Sequence, residues 1–110
     1  MIAVEGDARF LVLRGTLSYD QTPDLRVQLL DAVEAPGLEG DDLYLDLSGL
    51  TLRDPAMLGL FLEVHRRCQR LGRRMVLTNV SAGTDRLLRL TRLSRVLYRE
   101  EHPLSLHRSA

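Results

Sequence analysis

The segment DLYLDLSGL (42–50) repeats with a period of two: Leu43, Leu45 and Leu47 alternate with Tyr44, Asp46 and Ser48. A few residues later the period changes. Met57, Leu60, Phe61, Val64, Cys68 and Leu71 fall at offsets 0, 3, 4, 7, 11 and 14, one stripe of a helix. A half-buried strand thus runs through a short turn into an amphipathic helix. That order restricts the chain to folds in which helices pack on a sheet.

The same reading extends along the chain. IAVE (2–5) and RFLVLRG (9–15) read as strands, the second ending at Gly15. In TPDLRVQLLDAVEAPG, Thr22 suits an N-cap, Pro23 the first helical position and Asp24 the positive helix end. Leu25, Leu29, Ala32 and Val33 keep helical spacing until Pro36 and Gly37 stop it. The central helix is expected over 55–71, closed by Gly72. RMVLTNV (74–80) reads as a strand, 81–93 as a helix with Leu87, Leu88 and Leu90 inside, and RVLY (95–98) as a last strand. The expected fold is α/β, in the order β-β-α-β-α-β-α-β, a mixed sheet with helices packed on it. The 110 residues suit one domain. It is expected over 1–100, with a polar C-terminal tail over 101–110.

Composition narrows the function. Net charge is zero, yet residues 1–50 hold 3 Arg against 10 acids, and residues 51–110 hold 12 Arg against 5. All fifteen basic residues are Arg, the usage of a GC-rich genome. A basic half can attract phosphate, but no aromatic cluster stands among the arginines, so nucleic acid is not the expected partner. Cys68 is alone, and His65 three residues before it lacks the further ligands a metal needs; neither metal nor cofactor is expected. Charges within the first twenty residues argue against a secretion leader. The longest apolar run, Ala56 to Leu62, is too short to insert in a membrane, and a cytoplasmic location is expected. No nucleophile with a matching base can be assembled, and no Walker loop or G-x-S-x-G is present, so the chain does not read as an enzyme. Asp46 is expected to face solvent or a backbone donor, and Asp54 to cap the central helix.

Three blocks in order resemble one family: LRGTLSYDQTPDLR, then LYLDLSGLTLRDPAMLGLFLEVHRRCQRLGRRMVLTNVS, then RLLRLTRLSRVL. They resemble the STAS domain of bacterial anti-sigma factor antagonists, over residues 9–98. In that family the turn before Leu-Gly reads Asp-Ser-Ser/Thr-Gly, and a kinase-like anti-sigma factor phosphorylates the second hydroxyl position. Here the turn reads Asp54, Pro55, Ala56, Met57, followed by Leu58 and Gly59. Ala56 occupies the phosphorylated position, and Ser18 stands where the family has an acid. The resemblance implies a protein-binding module whose partner is an anti-sigma factor/serine kinase-like protein, without a switch at its own turn. Partner-binding residues are expected at Asp54, Pro55, Ala56, Met57, Leu58, Leu62, Ser18 and Asp20. Leu58 and Leu62 flank the buried stripe. Either they form an exposed contact patch, or they pack beneath a neighbouring helix or the tail. Two other functions stay open: the STAS subunit of a lipid-transport ABC ATPase complex, which also lacks the serine, and a small-ligand sensor.

Overall fold

A computed structural model describes residues 2–100. Five strands, β1 (Ile2–Gly6), β2 (Phe10–Leu17), β3 (Leu43–Leu52), β4 (Met75–Thr78) and β5 (Tyr98–Glu100), form one sheet. Their spatial order equals their chain order. β1 runs antiparallel to β2, and the remaining neighbours are parallel. Three helices make the connections between parallel strands: α1 (Thr22–Val33), α2 (Leu58–Arg70) and α3 (Ala82–Leu90). The mixed sheet and the element order match the sequence expectation. The polar segment 101–110 lies outside the described residues.

The β1–β2 hairpin is fixed by two residues. Asp7 accepts from the backbone N–H groups of Arg9 and Phe10 at 2.8 and 3.0 Å, which holds its carboxyl below the usual range. Gly6 has φ +124, and a Cβ there would lie 2.1 Å from the Phe10 carbonyl oxygen, so only glycine fits.

Leu11 and Leu13 of β2 and Leu43, Leu45 and Leu47 of β3 point into the core, as alternation requires. Alternation alone would turn Leu50 outward. The register between β2 and β3 instead slips once: Val12 pairs with Asp46, but Arg14 pairs with Gly49. β3 spends an extra residue there, a bulge that returns Leu50 to the core. Against this leucine face pack Leu25, Leu29, Leu30 and Val33 of α1, together with Leu60, Phe61, Val64 and Cys68 of α2.

Element boundaries differ from expectation where turns intervene. A 3-10 turn (Tyr19–Gln21) precedes α1, so Thr22 is its first residue and not its cap. Another (Pro55–Met57) precedes α2, which starts at Leu58. Ser81 caps α3, accepting from Thr84 N–H, and α3 ends at Leu90 because Arg92 turns left-handed at φ 63. A 3-10 turn (Leu93–Arg95) follows, and the last strand begins only at Tyr98. Leu90, expected inside, is 70% exposed. Leu97 takes a core position instead.

Candidate functional site

Pairing of Leu17 with Leu52 sets the turns that follow β2 and β3 side by side at the C-terminal edge of the parallel strands. Ligand and partner sites of open α/β sheets collect at this edge. The β3–α2 turn is rigidly built. Asp54 is extended, its Oδ1 accepts from Ala56 N–H at 2.9 Å, and its carbonyl accepts from Met57 N–H at 3.0 Å. Pro55 fixes the first turn residue from within the chain. Asp54 thus caps, but it caps the 3-10 turn that leads into α2 and not α2 itself, which follows Met57. Asp54, Pro55 and Ala56 are exposed, while Met57 is buried and supports them from below.

The neighbouring turn is pinned in a similar way. Ser18 N–H donates to Gln21 Oε1 at 3.3 Å, and Ser18 Oγ donates to Asp20 Oδ1 at 2.7 Å. That hydroxyl lowers the pKa of Asp20, so the turn carries a carboxylate. Ser18 therefore orients an acid two residues on.

Leu58 requires a correction. It is 1% exposed and belongs to the core, so it cannot be an exposed anchor of a contact patch. His65, one helical line further along, is buried as well. α2 buries the Met57 stripe and the adjoining Leu58–His65 line, an arc wider than one stripe. Leu62 is half-buried against the core and borders the solvent face of α2. That face holds Gly59, Glu63, Arg66, Arg67 and Arg70, which with Leu62 line a shallow groove. Glu63 pairs with Arg26 of α1, and Glu34 beyond α1 pairs with Arg67, so α1 and α2 are tied together beside the turn.

Three further residues, Asp46, Asn79 and Arg73, tie together the elements behind this site. Asp46 is buried, accepting from Ser48 N–H at the bulge (2.9 Å) and from Asn79 Nδ2 (3.1 Å). Of the two expected alternatives, solvent or a backbone donor, the backbone donor holds. Asn79 adopts a left-handed φ of 52 just beyond β4, so Asp46 links the bulge to the β4–α3 turn. Arg73 is 1% exposed. Its guanidinium donates to the carbonyls of Ala8, Ala32, Val33 and Asp41 at 2.6–3.0 Å, two of them at the C-terminal end of α1. A cation at that end also meets the negative pole of the helix.

Cys68 is buried, and burial pushes its thiol up to about 11, so at neutral pH it is a protonated core side chain. Among the described residues no helix is long and apolar enough to cross a membrane.

A family model described as "Mlab, STAS domain" matches residues 1–99. No curated protein matches the sequence. Among solved structures, the anti-sigma factor antagonist SpoIIAA in its unphosphorylated form superposes with a TM-score of 0.72 at 17% identity, over 99% of this chain and 96% of that one. An anti-sigma-factor antagonist (STAS) domain protein from Planctomyces limnophilus gives 0.71 at 17% identity, over 96% and 93%. An anti-sigma factor antagonist from Mycobacterium paratuberculosis gives 0.67 at 18% identity, over 99% and 92%. At such identities the structural likeness establishes the fold, and the family model spans nearly every residue. The chain belongs to the STAS-domain family.

Proposed function

We propose that this chain is a non-catalytic, cytoplasmic protein-binding module of the anti-sigma factor antagonist kind, with residues 1–100 as its working unit. It binds a kinase-like anti-sigma factor and so regulates transcription. One observation carries the reading. The β3–α2 turn is capped, exposed and presented like a contact surface, yet it offers the methyl group of Ala56 where the family has a hydroxyl. A phosphate there would place about two negative charges beside Asp54 inside the contact. Ala56 cannot take one. Thr51, the nearest hydroxyl on the strand side, lies within β3. The contact is therefore constitutive. Its residues are Asp54, Pro55 and Ala56, with Leu62 as the apolar border and Ser18 and Asp20 at the rim. Met57 acts from beneath.

A second reading rests on the same missing hydroxyl: a STAS subunit of a lipid-transport ATPase complex. Affinity capture with the tagged chain, without detergent, separates the two. The first predicts a soluble partner with an ATPase-kinase fold, unaffected by ATP. Recovery of transporter subunits supports the second. Phosphate mapped to Thr51 with loss of binding contradicts an unswitchable contact.

A further inference from the structure

The solvent faces of α1 and α3 are complementary. On α1, Asp24, Val27, Gln28 and Asp31 share the exposed side, and Val27 is 55% exposed. Among the described residues no cation pairs with Asp24 or Asp31. On α3, Arg86, Arg89 and the exposed Leu90 share the outer side. The turn that follows adds Arg92, Arg95 and Val96, all exposed. Asp85, the acid of this helix, is already held by Arg89 and Arg99, and among the described residues no carboxylate pairs with Arg86, Arg92 or Arg95. Arg26, beside Val27 on α1, is taken by Glu63, so each helix sets an exposed aliphatic side chain beside charges of one sign that stay unpaired among the described residues, and the two signs are opposite.

Both faces point to solvent, so they do not satisfy each other within one molecule. We propose that they meet between copies: α1 of one chain docks on α3 of a second copy of the same chain. Val27 and Leu90 then cover each other, and the arginines reach Asp24 and Asp31 with the paired donors a guanidinium presents to a carboxylate. A bilayer or a nucleic acid would neutralise the arginines but leave the acids and Val27 of α1 unused. A second copy satisfies both faces at once. The formal net charge of zero means that two copies meet without overall repulsion. The contact joins unlike patches. It can close as a two-fold dimer in which it occurs twice, or continue head to tail. Two helix faces bury less than the ~1,200 Å² of a stable interface, so the association is weak and salt-sensitive.

Sedimentation of the full chain from micromolar to millimolar concentration, at low and high salt, tests this. The wild type should self-associate at low salt and dissociate at high salt. Charge reversal on α3 (Arg86→Glu with Arg95→Glu) should weaken association about tenfold or more. Reversal on α1 (Asp24→Arg with Asp31→Arg) should do the same. Circular dichroism melting confirms that each variant is folded. The decisive step is mixing. Each variant alone carries like charges on both faces and stays monomeric, whereas an equimolar mixture recovers the association. A wild type that stays monomeric at low salt overturns the proposal. So does association that survives both reversals, or a mixture of folded variants that stays monomeric. Binding of anionic vesicles or DNA by a monomeric wild type would assign the arginines to another occupant and overturn it as well.

Discussion

Asn79 donates from Nδ2 to Asp46 Oδ2 at 3.1 Å, joining the turn beyond β4 to the bulge of β3. The other oxygen of Asp46 takes the Ser48 N–H, which the bulge leaves outside the strand ladder. The bulge keeps Leu50 in the core, and Leu50, Thr51 and Leu52 lead directly into the Asp54 turn. Asp46→Ala should cost about 1–3 kcal/mol, because two donors lose a charged partner. Asp46→Asn, which keeps an acceptor for Ser48, should cost less. Urea denaturation of the two variants measures the difference, and equal losses would mean that the Ser48 bond contributes little.

The burial of Leu58 decides between the two readings of its position beside the stripe, in favour of packing. Leu58→Glu should unfold the chain, since burying an unpaired carboxylate costs several kcal/mol in a domain with about 5–15 to spare. Leu62→Glu, at a half-buried position, should leave a cooperative melt and weaken partner binding. Thermal melts followed by circular dichroism distinguish them. A folded Leu58→Glu would contradict the placement of α2.

Arg73 holds the end of α1 to the loops that enter β2 and β3. Arg73→Leu strands several buried carbonyls, each costing about 1–3 kcal/mol, and should leave little folded protein. Arg73→Lys keeps the charge but not the fan of donors and should fall between Arg73→Leu and the wild type. Soluble yield and urea midpoints give the ranking.

His65 supplies a pH dependence. It is buried against the Tyr98 ring, with centroids 5.7 Å apart, and among the described residues its Nδ1 has no hydrogen-bond partner. Burial, with Arg66 nearby, lowers its pKa below 6.5. The unfolded chain therefore binds a proton at a higher pH than the folded chain does. Stability is complete above about pH 6.5 and falls as the pH drops from there through the folded value. Asp42 and Asp85, whose pKa values are lowered by Arg74 and Arg99, lose their contribution only below the ordinary carboxylate range. Urea midpoints at pH 7.5, 6 and 5 should decline in the wild type and decline less in His65→Phe. Parallel curves would assign the dependence to another group.

The sequence revealed what depends on neighbours along the chain. The alternating leucines of β3 and the buried stripe from Met57 to Cys68 are local patterns and appear where they were expected, while the Asp54–Pro55 cap opens a 3-10 turn ahead of α2. Arg73 and the Asn79 partner of Asp46 were opaque because these contacts join residues more than thirty apart and, for Arg73, end on main-chain carbonyls that no side-chain pattern marks. Leu58 was ambiguous for a related reason. Periodicity gives the direction of a buried face, whereas its width depends on how many neighbours flank the helix. Leu90 shows the converse. It continues the leucine pattern of α3, but the left-handed Arg92 ends the helix and leaves that side in solvent.

The most direct test of an exposed, unswitchable contact turn compares the wild type with Ala56→Glu. Ala56 is exposed and donates only its backbone N–H, to Asp54, so a glutamate there adds charge without disturbing the cap. Binding of each protein to the captured kinase-like partner is measured by calorimetry, together with each melting temperature. The account predicts tight binding by the wild type, unchanged by ATP, and loss of at least about tenfold in affinity for Ala56→Glu at an unchanged melting temperature. Equal affinity of the two proteins would place the contact elsewhere and contradict the account.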